Sequence, residues 1–150
     1  MPLDAASAAA LAQHHARVDA LARQLAAQPG GTTLRRIDTH ISSLLLVGDA
    51  VWKLKKPLAL GFLDFRSVAA RRHFCDEELR LNRRTAPAYY LGVHPVIGPD
   101  DAPSIGPALT PDEAAPPGTV DWALQLRRFD DTRPISELQQ SDRITRSRAR

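Results

Sequence analysis

Near the N-terminus apolar residues recur at Leu11, Val18, Leu21 and Leu25, spaced by seven, three and four, the one-face period of an amphipathic helix. The pattern predicts a helix over residues 4–27, closed by Pro29-Gly30-Gly31. His14 and His15 are adjacent, so they cannot share a helix face as ligands four apart do, and both read as surface residues. After the glycines the period changes to two. Residues 34–38 predict a short strand, and residues 41–47 form an apolar run, the pattern of a strand buried on both faces. Gly48-Asp49 then predicts a hairpin turn into residues 50–55. In that second strand Val51, Lys53 and Lys55 fall on one side and Trp52, Leu54 and Lys56 on the other, with Pro57 ending the pairing.

Residues 61–65 make an apolar link into a second helix, which runs from Arg66 or Ser67 to Thr85 with Ser67 as its N-cap. Its apolar arc has Val68, Cys75 and Leu79 on one side and Phe74 and Leu81 on the other. Residues 93–97 predict a strand that Pro95 confines to an edge or a strand end. The proline-rich residues 98–118 read as a flexible hairpin connection. Val120, Trp122, Leu124 and Leu126 alternate with Asp121, Ala123 and Gln125 to give a further strand, followed by a short helical stub at 135–140. Two helices and a set of hairpin-linked strands place the chain in the α+β class.

With 150 residues, 43% of them apolar, the chain fits one compact domain. The sequence holds no run of roughly 18–20 apolar residues, so a soluble, cytoplasmic protein without a membrane partner is expected. The lone Cys75 has no disulfide partner within the chain, and no Cys/His spacing suggests a zinc site. A pI of about 9.5 raises the question of nucleic acid. The formal charge of +3 sits wholly in residues 141–150, where Arg143, Arg146, Arg148 and Arg150 face only Asp142. A neutral body with a basic tail lacks the cationic face that a phosphate backbone requires, so no nucleic-acid partner is expected.

The chemistry concentrates on Lys53 and Glu78. A lysine in the middle of an apolar strand needs a partner if it is to be buried. At about 100° per residue, Glu78 falls inside the apolar arc of the second helix while Glu77 points away. Kinases use a strand lysine held by a helix carboxylate to grip the α- and β-phosphates of ATP. The plainer reading makes Lys53 and Lys55 edge lysines that resist aggregation, with Glu78 paired to Arg71 or Asn82 on its own helix. His40 and His73 read as structural or solvated, Tyr89-Tyr90 as packing, and Cys75 as an inert core thiol.

The order of elements adds to this. The stretch 37–97 contains Asp38-Thr39-His40-Ile41-Ser42, Val51-Trp52-Lys53-Leu54-Lys55-Lys56-Pro57, Gly61-Phe62-Leu63-Asp64-Phe65 and Arg71-Arg72-His73-Phe74-Cys75-Asp76-Glu77-Glu78-Leu79-Arg80-Leu81-Asn82-Arg83-Arg84. It resembles the bacterial aminoglycoside phosphotransferase-like proteins that often carry a P-loop ATPase domain behind the kinase-like one. Ala123-Leu124-Gln125-Leu126-Arg127-Arg128-Phe129 resembles the strand before the hinge in that family. The resemblance covers roughly residues 34–130. It implies a protein-kinase-like N-lobe, a small antiparallel sheet with one packed helix, over residues 31–130. A helical segment at 1–30 precedes it, and a stub with a basic tail at 131–150 follows.

The resemblance further implies ATP as the ligand, Lys53 as the phosphate-gripping lysine with Lys55 as the alternative, and Glu78 as the partner. Thr39, Ser42 and Ser43 would occupy the phosphate-covering loop, and Arg128 and Phe129, with Asp130, the adenine-binding hinge. No His-x-Asp-x-x-x-x-Asn loop, Asp-Phe-Gly-like metal site or Gly-x-x-x-x-Gly-Lys-Ser/Thr motif follows. The expectation is therefore a truncated lobe, inactive alone, with an incomplete ATP site and magnesium held only through the absent lobe. The other function class in view is a non-catalytic module, or the remnant of a degraded gene, whose exposed lobe face meets a protein partner.

Overall fold

The computed structural model describes residues 3–28 and 33–128. The hinge position Phe129, the stub and the tail lie outside the described residues. Helix α1 (Ala5–Ala26) begins where the Asp4 carboxylate accepts a hydrogen bond from the Ser7 amide at 2.7 Å. Its buried stripe is His14, Arg17, Val18, Ala20, Leu21 and Leu25. The surface reading of the histidines is thus corrected. His14 lies four residues before Val18, on the same stripe, and is fully buried, while His15 is half-buried.

Strands β1 (Arg35–Asp38), β2 (Ser42–Val47) and β3 (Ala50–Lys55) form an antiparallel meander. The β2–β3 turn needs its glycine, because Gly48 sits at φ 55°, a left-handed conformation that a Cβ disfavours. The segment read as a plain link folds into a hairpin of β4 (Ala59–Leu60) and β5 (Leu63–Asp64), turned at Gly61. Helix α2 (Val68–Arg83) follows, with the Ser67 hydroxyl accepting from the Ala70 amide at 3.0 Å, as its N-cap position requires. Strands β6 (Tyr90–Ile97), β7 (Ser104–Ile105) and β8 (Thr119–Arg127) complete the sheet in the order β1-β2-β3-β8-β6-β7. The last strand in sequence therefore inserts between β3 and β6, and every pairing is antiparallel.

The edge assignment for the segment around Pro95 is corrected as well. β6 runs between β8 and β7. Proline is tolerated there because the Pro95 carbonyl accepts from Gly106 on the β7 side. The N–H that proline lacks would point the same way, toward a two-residue strand rather than toward β8. Nor is 98–118 a free connection. Arg17 and Gln13 of α1 hold Asp100, Arg72 of α2 donates to the Thr110 and Glu113 carbonyls, and Leu109 bridges Val93.

The sheet is covered on both faces. Val18, Leu21 and Leu25 of α1 pack on Leu45, Trp52, Leu54 and Ala123. On the other face Leu44, Leu46, Val51, Trp122, Leu124 and Leu126 cluster with Cys75 of α2. Neighbouring residues of β2 and of β8 thus enter opposite cores, as the two-residue strand period demands. The stripe that α2 buries is Arg71, Cys75, Glu78 and Asn82, mostly polar, whereas Val68, expected in its apolar arc, is exposed. Hydrophobic packing alone does not seat this helix.

What supplements it is a buried charge node. Asp121 of β8 accepts from Arg17 Nη1 of α1 at 3.0 Å, from Arg71 Nε of α2 at 2.8 Å and from the Trp122 amide at 2.8 Å. Arg71 also donates to the carbonyls of Phe65, Arg66 and Val120. The node sits where β3 has stopped pairing with β8, whose shared ladder ends at Lys53 opposite Leu124. Asp121→Ala strands two buried guanidinium groups and should cost about 3–5 kcal/mol, read as a lowered urea midpoint. A loss under about 1 kcal/mol, the size of an exposed ion pair, would show that the node is not buried in solution.

Candidate functional site

The two-residue period of β3 puts Lys53 and Lys55 on one face, their Cα atoms roughly 7 Å apart. α2 lowers Glu78 between them. Lys53 Nζ donates to Glu78 Oε2 at 2.8 Å and Lys55 Nζ to Glu78 Oε1 at 2.9 Å. Lys53 and Lys55 are each 1% exposed and Glu78 0%. As partners of Glu78, Lys53 and Lys55 are therefore not alternatives, since one carboxylate serves both. The plain reading of exposed edge lysines does not hold, and the proposed local partners go elsewhere. Arg71 belongs to the Asp121 node, and the Asn82 side chain donates to the Glu78 carbonyl at 2.8 Å.

The surroundings distinguish the two lysines. Lys55 Nζ lies 5.2 Å from the centroid of the buried Phe65 ring, in a small cluster with Ile41 and Leu63. Lys53 faces Leu44 across β2 and Leu124 across β8. Burial works to raise the Glu78 pKa, but the Lys53 and Lys55 charges and their hydrogen bonds outweigh it and hold the carboxyl down at about 2. Cys75, one turn earlier on the same stripe, is pushed by burial up to about 12, which leaves it an unreactive thiol at neutral pH.

The β1–β2 turn has its Thr39 hydroxyl committed internally. Thr39 Oγ1 bonds the Ser42 carbonyl at 3.2 Å and accepts from the Ile41 and Ser42 amides at 3.3 and 3.0 Å. Ser42 and Ser43 are fully buried. Ser43 Oγ donates to Asp38 Oδ1 at 2.6 Å and lies 2.9 Å from His14 Nε2. Its one proton is used on a carboxylate, so the imidazole must donate, which fixes the Nε2–H tautomer of His14. Nδ1 is then a buried lone pair with no hydrogen-bond partner among the described residues. Burial first, and the charges of His15, Arg17, Lys56 and Arg36 after it, lower the His14 pKa to about 3. Lys56 Nζ caps the same turn through the Thr39 carbonyl at 2.6 Å.

At the far end of the sheet, Arg128 is half-buried and its amide donates to the Asp49 carbonyl at 2.5 Å. It stands near the β2–β3 turn, at the opposite end of β3 from Lys55. His40 and His73 are exposed, and Tyr90 is buried in the core beneath α2. Two open grooves lie away from the lysines. One, of about 620 Å³, runs between α1 and Trp52, and another, of about 710 Å³, along the outer side of α2 by Arg72 and Arg80.

Among curated proteins, the chain is similar to uncharacterized proteins of Mycobacterium bovis (strain ATCC BAA-935) and of Mycobacterium tuberculosis (strains CDC 1551 and H37Rv). Each is 41% identical over 56 residues. That stretch is 37% of this chain but only 11% of each relative. No family model matches the chain. No solved structure matches it either.

Sequence reasoning missed Arg17, His14, Lys56 and Asp121. Three of them carried a signal. Asp121 is a charge at the start of an alternating strand, and His14 and Arg17 keep the helical spacing of Val18 and Leu21.

The His14 shift sets a pH dependence. Its pKa is lower in the folded chain than the ordinary value of 6.5, so the unfolded chain takes up the proton first. Stability is therefore lost as pH falls from about 6.5 toward about 3. Glu78 adds its own loss only below its ordinary value of 4.5. Urea midpoints should fall between pH 6.5 and 4.5 in the natural chain, and His14→Gln should flatten that slope while leaving the steeper loss below 4.5. An unchanged slope in the variant would place the titrating group elsewhere.

Proposed function

We propose that this chain contributes the nucleotide-binding N-lobe of an ATP-dependent small-molecule phosphotransferase of the aminoglycoside phosphotransferase-like, kinase-like kind. The observation that carries the reading is the buried Lys53–Glu78 pair at 2.8 Å, formed between the third strand of a meander and the helix that follows it. A lysine so placed offers a fixed positive charge to the α- and β-phosphates, and the glutamate holds its rotamer. The β1–β2 turn around Thr39 and Ser42 then lies over the phosphates. The Thr39 hydroxyl and the Ile41 and Ser42 amides being committed to the turn itself, the Lys56 ammonium is the group that would face a ligand.

In this reading Lys55 keeps Glu78 ionised, so that Lys53 can turn part of its donor capacity toward an anion without leaving the carboxylate bare. Magnesium and the groups that orient the acceptor hydroxyl come from a second lobe, which also decides the acceptor. A lobe alone provides half a site. With the Lys53 ammonium covered, a nucleotide must also displace that cover, so affinity falls to roughly millimolar or weaker, each 1.4 kcal/mol lost being about tenfold.

The test is NMR on the uniformly ¹⁵N-labelled 150-residue chain, titrated with MgATP into the millimolar range. Saturable shifts should appear at Lys53 and the 39–43 turn, be smaller with AMP, and vanish in Lys53→Met. Shifts confined to the groove along α2, or low-micromolar binding that survives Lys53→Met, would end the reading.

A further inference from the structure

We infer that α1 controls the geometry of the Lys53–Glu78–Lys55 cluster from the opposite face of the sheet, with Arg17 as the positioning residue. The inference takes its functional meaning from the nucleotide-lobe reading, but its geometry stands apart from it.

The argument begins with how α2 is seated. Its buried stripe holds a single apolar residue, Cys75, between Arg71 and Glu78. Its backbone sits mainly over β8 and β6, while it meets β3, which carries the lysines, through side chains: Glu78 on Lys53 and Lys55, and Cys75 in the core cluster with Val51. The distance between Glu78 and the lysines therefore depends on how the β6–β8 half of the sheet, with α2, sits against the β1–β3 half. The two halves share the β3–β8 ladder, and that ladder stops at Lys53 opposite Leu124. Beyond it, on the side of Lys55, β8 continues through Trp122 and Asp121 with β6 as its partner. The Asp121 node occupies this gap.

Three groups meet there. Arg71 lies two helical turns before Glu78, on the same stripe, so any movement of Arg71 is passed along the helix to Glu78. Arg71 Nε holds Asp121 at 2.8 Å, and Arg17 Nη1 holds the other carboxylate oxygen at 3.0 Å. Arg17 Nε is itself anchored by Asp100 at 2.8 Å, and Gln13 of α1 donates to the other Asp100 oxygen at 2.7 Å. α1 thus supplies one of the two guanidinium groups on Asp121 and draws the carboxylate toward its own face. Without Arg17, Asp121 keeps only one guanidinium partner, Arg71, beside the Trp122 amide, and the seat of α2 loses its cross-sheet tie.

A second tie reaches the other half of the site. His14, one turn before Arg17, donates to Ser43, which holds Asp38 at 2.6 Å and so fixes both ends of the β1–β2 turn. One helix therefore grips the turn on the β1–β3 side and the helix seat on the β6–β8 side. An event that lifts α1, such as a binding partner or removal of the segment, should loosen both halves together.

The test reads the Lys53 and Lys55 ammonium groups directly in the full chain, with no nucleotide present. Buried, ion-paired ammonium hydrogens exchange slowly enough for their ¹⁵N–¹H signals to be followed. Arg17→Gln should raise the exchange of both by about tenfold or shift both signals, while the chain stays folded. Leu21→Ala, which removes an α1 core contact outside the node, is the control for mere loss of stability, and it should leave both signals in place. Arg17→Lys should restore most of the effect. If Arg17→Gln does not fold, Asp100→Asn decides by the same readout, with a smaller change in the same direction. Unchanged ammonium signals in the folded variant, or equal losses in Leu21→Ala, would overturn the inference.

Adding MgATP to the same samples separates the two claims. Altered ammonium exchange with no nucleotide response in the natural chain keeps the positioning role and removes the nucleotide reading. A nucleotide response with unaltered ammonium signals does the reverse.

Discussion

Glu78 is the group on which the arrangement depends. It is buried without access to water, and its single negative charge is shared between Lys53 on one oxygen and Lys55 on the other. Ions taken out of water each cost several kcal/mol, which only close geometry and shared hydrogen bonds return. The cluster is therefore demanding. It requires β3 to keep its register, so that both lysines share a face, and α2 to hold its rotation, so that Glu78 and not Glu77 enters. A one-residue slip of β3 would replace both lysines with Trp52 and Leu54.

Other features follow as ways of meeting that demand. β2, buried on both faces, pins β3 by six antiparallel pairs from Ser42–Lys55 to Val47–Ala50. Ser67 sets the start of α2, and Arg71 locks its first turns to two carbonyls before the helix and to Asp121 in β8. Phe65 closes the outer side of Lys55. On the opposite face α1 contributes a core, the second guanidinium on Asp121 and the histidine that organises the β1–β2 turn. The polar stripe of α2 is tolerable because each buried charge on it meets a partner at hydrogen-bond distance.

Much of this was legible along the chain because it is local. The Gly48 turn, the alternation of β3, the Ser67 cap and the inward face of Glu78 each follow from a spacing of a few residues, and each is found. What the sequence hid is what joins residues far apart. Asp121 meets Arg17 and Arg71 across 104 and 50 positions, and no periodicity reports such a meeting. Face-sharing puts Lys55 beside Lys53 but does not reveal that one carboxylate, with two oxygens to give, meets both. For His14, its adjacency to His15 excludes only a shared metal site, whereas its helical spacing to Val18 puts it inside. The connection 98–118 looked loose from its prolines, and it is held by side chains from both helices, which composition cannot show.

The central claim is that one carboxylate is coupled to two ammonium groups inside the sheet–helix core. A mutant cycle in urea over Lys53→Met, Lys55→Met and Glu78→Gln measures this most directly, by comparing the single, double and triple variants. The account predicts that Glu78→Gln alone costs about 3–5 kcal/mol, because two ammonium groups lose their counter-charge. It also predicts that each lysine couples to Glu78 by about 1–3 kcal/mol, so that the triple variant is much less destabilised than the sum of the singles. Additive losses, or coupling to one lysine with none to the other, would contradict it.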